Sequence, residues 1–339
     1  MRPFIYERAT DQASAIRAAL TDADDTEASG ERPQFLAGGT TLLDLMKLDV
    51  MRPRRVIDIN GLSSNHAVIE MRPDGLRLGA LTRMADAADH PELRHAYPMV
   101  AQSLQLAASA QLRNMATLGG NVLQRTRCSY FRDTSWAACN KRNPGSGCAA
   151  LTGVNRRHAV LGTSDQCIAT YPGDFAQALI ALGASVEIAG DDGSRTIPFE
   201  KLHRLPGDTP HLETTLAPGE LITGFFVPAG AWNRRSLYLK IRDRESYEFA
   251  LASAAVAIEL QGDIVAEARI GVGGVATKPW RALEAEAALI GKPLTEANAV
   301  AAAETVFAVA RSNGQNDYKP ELGRRTLVRA LLQTAAMVV

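Results

Sequence analysis

The chain has 339 residues, 46% of them hydrophobic, with 37 Lys+Arg balanced against 37 Asp+Glu. That length exceeds the usual single domain, so two or three domains are expected, and the balanced charge offers no general field for nucleic acid. No apolar run is long enough to span a membrane, and Met1-Arg2-Pro3-Phe4-Ile5-Tyr6 lacks a charged-then-apolar signal region, so the sequence is not expected to direct its own export.

Phe4-Ile5-Tyr6 reads as a short strand and Asp11 to Leu20 as an amphipathic helix. Gln34-Phe35-Leu36-Ala37 is a second strand, entering Gly38-Gly39-Thr40-Thr41 and then a helix through Leu42, Leu43, Leu45, Met46 and Leu48. Thr40 or Thr41 is placed to cap that helix. Arg55 to Ile59 is a third strand, so the pattern suggests a small α/β lobe ending near residue 60.

A second lobe opens with the strand Leu76 to Ala80 and a helix from Ala85 to Asp89. Tyr97 to Gln111 reads as one helix, and Phe175 to Leu182 as another, with Asp174 at its N-cap. Ser185 to Ile188 is a strand, Asp191-Asp192-Gly193 a hairpin turn, and Glu220 to Val227 a strand ending at Pro228. Pro228-Ala229-Gly230-Ala231 marks a boundary. Beyond it come strands at Ser236 to Ile241 and Glu267 to Val272, with a helix or strand at Ala250 to Leu260 between them. A helix is expected near Pro279-Trp280-Arg281, then two Ala-rich helices at Glu296 to Ala310 and Leu322 to Ala336. The expected units are 1–60, 61–229 and 230–339, with an insertion at about 124–168 in the second.

Two glycine elements stand between a strand or turn and a helix: Leu36-Ala37-Gly38-Gly39-Thr40-Thr41-Leu42 and Ala116-Thr117-Leu118-Gly119-Gly120-Asn121-Val122. Paired glycines let the backbone fold tightly and turn N–H groups toward an anion. Two such loops suit a pyrophosphate held from both sides; two ordinary turns are the alternative. Neither loop is a GxGxxG or Walker pattern.

All four cysteines fall within one Gly-, Arg- and Asn-rich stretch: Cys128, Cys139, Cys148 and Cys167, with ten, eight and eighteen residues between them. Such clustering suggests one tetra-thiolate metal site. Buried apolar thiols or local disulfides, with three possible pairings, are the alternatives. CxxC pairs typical of small zinc modules are missing, and wide spacing in a wrapped loop suits a larger cubane whose irons need ligands from several directions. Arg125, Arg127, Arg132, Lys141, Arg142, Arg156 and Arg157 stand against only Asp133 in this stretch. Such charge offsets an anionic cluster or forms a solvated patch for an acidic partner, and the two are compatible.

Lys240-Ile241-Arg242-Asp243-Arg244 ends a strand with alternating charge, mostly a surface pattern, in which one residue could face a cofactor. His66, His90, His95, His158, His203 and His211 form neither HxxxH nor HExxH, so none is assigned a metal or catalytic role. With no nucleophile elbow or P-loop either, the sequence offers no catalytic residue, and the chemistry is expected to belong to cofactors.

Ala37-Gly38-Gly39-Thr40 with Leu43 to Lys47, and Thr117-Leu118-Gly119-Gly120-Asn121, resemble the two pyrophosphate loops of FAD-binding medium subunits of the xanthine dehydrogenase / molybdenum hydroxylase family. The resemblance runs through the whole chain, including Gly273-Gly274-Val275-Ala276. Leu123 to Cys128, Cys139 to Arg142, Gly145 to Ala150 and Cys167 to Thr170 resemble the 4Fe-4S-containing FAD subunits of bacterial periplasmic aldehyde oxidoreductases, with Ser129 where a proline is expected.

The resemblance implies an α+β chain: a two-lobed FAD-binding (PCMH-like) domain, then a C-terminal α/β domain of the CO dehydrogenase flavoprotein type. It implies FAD held by both loops, with Asp174, Leu221, Ile222 and Lys240 near the flavin or its ribityl chain, and one 4Fe-4S cluster on the four cysteines. A large molybdenum-cofactor subunit would oxidise the aldehyde, and a small subunit with two 2Fe-2S clusters would pass electrons to this chain's FAD and on to an external acceptor. Export into the periplasm would use a signal on the small subunit; a cytoplasmic location is the alternative. A hydroxybenzoyl-coenzyme-A-reductase-like subunit and a zinc-stapled scaffold are the alternative functions.

Overall fold

A computed structural model describes residues 1–21 and 31–339. Residues 22–30, part of the expected first lobe, lie outside the described residues.

The first lobe is built from β1 (Ile5–Arg8), α1 (Gln12–Leu20), β2 (Gln34–Leu36), α2 (Leu42–Lys47) and β3 (Arg55–Asp58). Asp11 starts α1 because its side chain accepts from the Ser14 amide while Ser14 accepts from the Asp11 amide, a capping box. The strands form a parallel sheet in the order β1-β3-β2. Ala15, Ala18, Ala19 and Ile57 bury against that sheet together with Leu81 and Leu221 from further along the chain. The lobes therefore share a core, which fixes the cleft between them. Thr41 occupies the N-cap of α2 with no side-chain cap hydrogen bond. The threonine cap expected from the sequence is not made there.

The second lobe holds α3 (Ser63–His66), β4 (Ile69–Arg72), β5 (Gly75–Gly79), α4 (Met84–Asp89), α5 (Pro91–Ala96), α6 (Pro98–Gln105), α7 (Ala110–Met115), α8 (Leu118–Val122) and α9 (Ser129–Arg132). It continues with α10 (Phe175–Ala181), β6 (Ser185–Gly190), β7 (Gly193–Pro198) and β8 (Leu221–Pro228). Five strands pair antiparallel in the order β4-β5-β8-β6-β7. Tyr97 to Gln111 is not one helix. Ala108 takes a left-handed φ of 49°, and Ser109 caps α7 by accepting from the Leu112 amide. At the break, the Leu106 carbonyl is claimed by Lys240 Nζ at 3.0 Å, a cation closing a helix end.

The C-terminal unit comprises β9 (Ser236–Ile241), β10 (Ala252–Gln261), β11 (Ile264–Gly273), β12 (Trp280–Arg281), α11 (Leu283–Leu289), α12 (Glu296–Phe307) and α13 (Lys319–Ala335). Its sheet runs antiparallel in the order β12-β11-β10-β9. Trp280 and Arg281 extend this sheet instead of starting a helix, because Trp280 pairs with Val272; the helix begins at Leu283. Alanines and branched residues from α11, α12 and α13 fill a core over one face of the sheet. On the other face α10 lies against β11. A Cβ at Gly273 would meet the Gln177 side chain at 2.7 Å, so the close approach of the two elements requires glycine there. Among the described residues, no helix is long and apolar enough to cross a membrane.

Candidate functional site

The first glycine loop leaves β2 and turns into α2. Gly39 has φ 73°, a conformation that favours glycine. A Cβ on Gly38 would run into the Met115 carbonyl. The first loop therefore touches backbone two residues ahead of Thr117, where the second loop starts. Between the loops lies a cleft of about 950 Å3, open at its mouth. Ala37, Gly38, Gly39, Thr40, Thr41 and Leu42 line one side. Thr117, Gly119 and Gly120 line the other, and Leu221 and Ile222 of β8 complete the wall. Leu36 packs beneath, its methyl 3.2 Å from where a Gly39 side chain would start.

The second loop uses its own amides. Leu118 N donates to Thr82 O at 3.0 Å, Gly119 N to Ala80 O at 2.8 Å, and Asn121 N to Thr117 O at 2.8 Å. Gly120 N reaches Thr117 Oγ1 at 3.2 Å. What this loop offers a ligand is close backbone approach and the Asn121 side chain, whose Oδ1 is buried and unpartnered. Asn121 lines an adjoining cavity of about 1180 Å3, which shares Thr40 and Thr41 with the cleft and runs back to Asp174 and Tyr247. A buried orphan acceptor in such a space is a polar group awaiting a donor.

Asp174 starts α10 without capping it. Its Oδ1 instead accepts from the Tyr238 hydroxyl at 2.6 Å, and its Oδ2 from Lys240 Nζ at 2.8 Å. The Asp174 and Lys240 side chains are only 5% and 1% exposed. Lys240 is thus no surface charge; it sits behind the cavity and reaches it through Asp174. Burial first, and then Asp174, push the Tyr238 phenol far above its ordinary range, so it stays a donor.

The four cysteines line one small cavity. All are free thiols, which removes the local-disulfide alternative. The wrap is local: Cys139 and Cys148 pair across an antiparallel bridge, with Gly145 and Gly147 in between and before Cys148 at φ 82° and 90°. Asn140 Nδ2 ties this turn to Gln166 O at 3.1 Å, next to Cys167. Burial pushes the Cys128 thiol up to about 12 and the Cys167 thiol up to about 11. Both stay protonated until something replaces the protons. Among the described residues, no group of three or more His, Cys, Asp or Glu forms a set that could hold a metal ion.

Most of the basic stretch is engaged by partners within the fold, while Arg156 and Arg157 stay exposed. Arg127 and Arg132 both reach Asp44 of α2, at 3.0 and 2.9 Å, binding the cysteine segment to the helix after the first glycine loop. Arg125 and Lys141 share Glu213, at 2.7 and 2.8 Å. Although burial opposes its ionisation, these two cations hold the Glu213 carboxyl down to about 2. Arg125 also lines the glycine cleft and Lys141 the thiol cavity, so one carboxylate touches a wall of each. Arg142 donates to the Tyr130 and Phe131 carbonyls, both at 2.7 Å. Arg156 and Arg157 pair with Asp243, both at 3.2 Å.

Two residues were invisible to motif reasoning. His158 Nε2 lies 3.1 Å from Cys128 Sγ, across 30 positions, and Glu213 lies 88 positions from Arg125. Neither belongs to a spaced pattern, so only the folded chain brings them in.

A family described as the FAD binding domain in molybdopterin dehydrogenase matches residues 6–230. The CO dehydrogenase flavoprotein C-terminal domain matches residues 237–334. The chain is 44% identical over 337 residues to the aldehyde oxidoreductase FAD-binding subunit PaoB of Escherichia coli (strain K12), covering 99% of each. It is 28% identical to the glyceraldehyde dehydrogenase medium chain of Sulfolobus acidocaldarius, covering 86% of this chain and 83% of that one. Among solved structures, it resembles carbon monoxide dehydrogenase from Hydrogenophaga pseudoflava with a TM-score of 0.74 at 26% identity, covering 99% of this chain and 98% of that one. The α+β architecture, the glycine-lined cleft and these matches agree: the chain belongs to the family of FAD-binding medium subunits of molybdenum hydroxylases, as a subunit of an oxidoreductase.

Proposed function

We propose that this chain is the electron-transfer flavoprotein subunit of a heterotrimeric molybdenum-containing aldehyde oxidoreductase, carrying FAD and one 4Fe-4S cluster. The observation that carries the reading is the adjacency of the two spaces. A glycine-lined cleft and a four-thiol cavity are joined through Arg125, Glu213 and Lys141. The full-length similarity to an aldehyde oxidoreductase FAD-binding subunit supports the aldehyde class.

In this reading Ala37 to Leu42 and Thr117, Gly119, Gly120 and Asn121 hold the FAD pyrophosphate, and Leu221 and Ile222 wall its chain. Asp174, braced by Lys240 and Tyr238, faces the flavin side. Bound FAD would supply two-electron and one-electron chemistry in one group. The residues' part is to seat it and to keep water from its buried edge.

The four cysteines would hold the cluster. A single zinc ion needs four sulfurs about 3.8 Å apart, from Zn–S bonds of about 2.3 Å. A cubane binds each sulfur through a different iron and takes them further apart. All four thiols line one cavity, which supports a site built from the four together.

The partners in this reading are a large molybdenum-cofactor subunit and a small subunit with two 2Fe-2S clusters, and the unit boundaries are 1–60, 61–229 and 230–339. On the resemblance alone, the assembled complex works in the periplasm. Cell fractionation tests that point, and recovery only in the cytoplasm would reject it.

The test of the central reading is iron, sulfide, zinc and flavin content of the anaerobically purified chain, with its visible spectrum. About four irons and one FAD per chain are expected. Zinc without flavin would reject the reading and leave a metal-stapled scaffold. FAD without iron would retain the family and reject the cluster.

A further inference from the structure

His158 is 5% exposed, and no metal or catalytic pattern in the sequence contains it. Its Nε2 stands 3.1 Å from Cys128 Sγ. Its Nδ1 is buried and has no partner. A proton on Nδ1 would leave a buried N–H without an acceptor, the costlier orphan. The proton therefore belongs on Nε2, which donates to sulfur, and the unpartnered site is only a lone pair.

The backbone that carries the ring is held on both sides. His158 N donates to Asn155 O at 2.9 Å, and Asn316 Nδ2 donates to Ala159 O at 3.0 Å. Asn155 Nδ2 in turn donates to Asn313 O at 2.6 Å. A buried ring on an anchored backbone has few alternative rotamers, so it loses little entropy in making its bond.

The pair also has a definite outlook. Arg127 precedes Cys128 and Arg157 precedes His158, and both arginines line the cavity that adjoins the glycine cleft. Cys128 itself lines the thiol cavity, so the residues just before the pair border one space while Cys128 borders the other.

We propose that His158 is a positioning residue for the metal centre: its Nε2–H donates to the Cys128 sulfur and raises the cluster's reduction potential. The inference rests on the reading that the four cysteines hold a 4Fe-4S cluster. Reduction puts charge on the thiolate sulfurs, so a donor aimed at one of them stabilises the reduced form more than the oxidised form. The imidazole is a neutral donor here and does not itself ligate iron.

The test uses the anaerobically purified full chain as wild type, His158→Leu and His158→Gln. Each is assayed for iron and titrated spectroelectrochemically. With iron retained, the ratio of reduced to oxidised cluster at a fixed ambient potential should fall about tenfold in His158→Leu, the size expected for one hydrogen bond to a charged group. His158→Gln, which keeps an N–H donor, should recover most of it, and the FAD midpoint should stay put. An unchanged cluster potential in His158→Leu with iron intact overturns the inference. Wild-type chain without iron overturns instead the cluster reading beneath it. Should His158→Leu lose its iron, the wild type decides. With 15N-labelled histidine, the reduced cluster should show one weak nitrogen coupling transmitted through a hydrogen bond. No coupling, or the strong coupling of a ligating nitrogen, overturns the inference.

Discussion

The glycine cleft and the thiol cavity sit side by side and are made in opposite ways. The cleft is backbone architecture: two short loops, each following its own local signal, pressed together where Gly38 meets the Met115 carbonyl. The cavity is side-chain architecture: four thiols on a 40-residue stretch, held by Asp44, Glu213 and Asn316 from distant parts of the chain. A backbone site tolerates loss of almost any one side chain but not the gain of one at a glycine. A side-chain site has the reverse weakness.

The largest expected effects break the comparison cleanly. Cys148→Ser should lose nearly all of about four irons while keeping most FAD, seen by metal analysis beside flavin fluorescence; equal loss of both would make the loop a folding element for the whole lobe. Gly38→Val should do the opposite. Its side chain has no room against Met115, so FAD occupancy should fall at least about tenfold with iron retained. Flavin content that does not change would remove the first loop from the site.

Glu213→Gln sharpens the comparison, because Glu213 touches both walls. Leaving Arg125 and Lys141 without their carboxylate should cost about 2 kcal/mol in denaturant unfolding, the low end for a partly covered pair. It should also weaken FAD and iron retention together, unlike either substitution above. A variant that loses only one cofactor would show that the carboxylate serves a single site. The carboxyl is held at about 2 against an ordinary 4.5. Its stabilisation is therefore complete above pH 4.5 and is lost as pH falls from there toward 2.

The smallest effect lies outside both sites. His203 is buried with Nε2 3.1 Å from the Val122 carbonyl, and burial pushes it down to about 4. The unfolded chain takes up a proton near 6.5 that the folded chain refuses until near 4, so stability falls as pH drops through that window. His203 should contribute about 1 kcal/mol of loss between pH 6.5 and 5.5, and His203→Gln should make that slope shallower in denaturant titrations, leaving the share of His158, which burial pushes down equally. An identical slope in the variant would assign the pH dependence to other groups.

How much could be read from the sequence follows the same division. Both glycine loops and the four cysteines announce themselves locally, through residue type and short spacing, and the cleft and cavity stand where those signals fall. Most strands and helices were legible for the same reason. Tyr97 to Gln111 was not, because the break at Ala108 answers to Lys240, 134 positions beyond the Leu106 carbonyl it binds. Asp174 looks like a cap because aspartate before a helix usually is one. Its carboxylate was taken instead by Tyr238 and Lys240 of a strand some 64 and 66 positions away. The sequence shows only Asp133 among the basic stretch; its ion-pair partners are Asp44, Glu213 and Asp243, all outside it. Periodicity reports a residue's neighbours on its own element, and these partners belong to others.

The stitch between the thiol segment and the start of α13 bears on when the cavity can exist. Gln315 N donates to Asn155 Oδ1, Asn316 Nδ2 to Ala159 O and Lys319 Nζ to Arg157 O, spans of 160, 157 and 162 positions. During synthesis at about 5–20 residues per second, the cysteines would emerge roughly 10–30 s before the segment that braces them. For that interval the thiols stand on a loop without this brace. Once that segment arrives the wall is braced, so the cavity is complete only after the polypeptide has grown about 150 residues past its last cysteine.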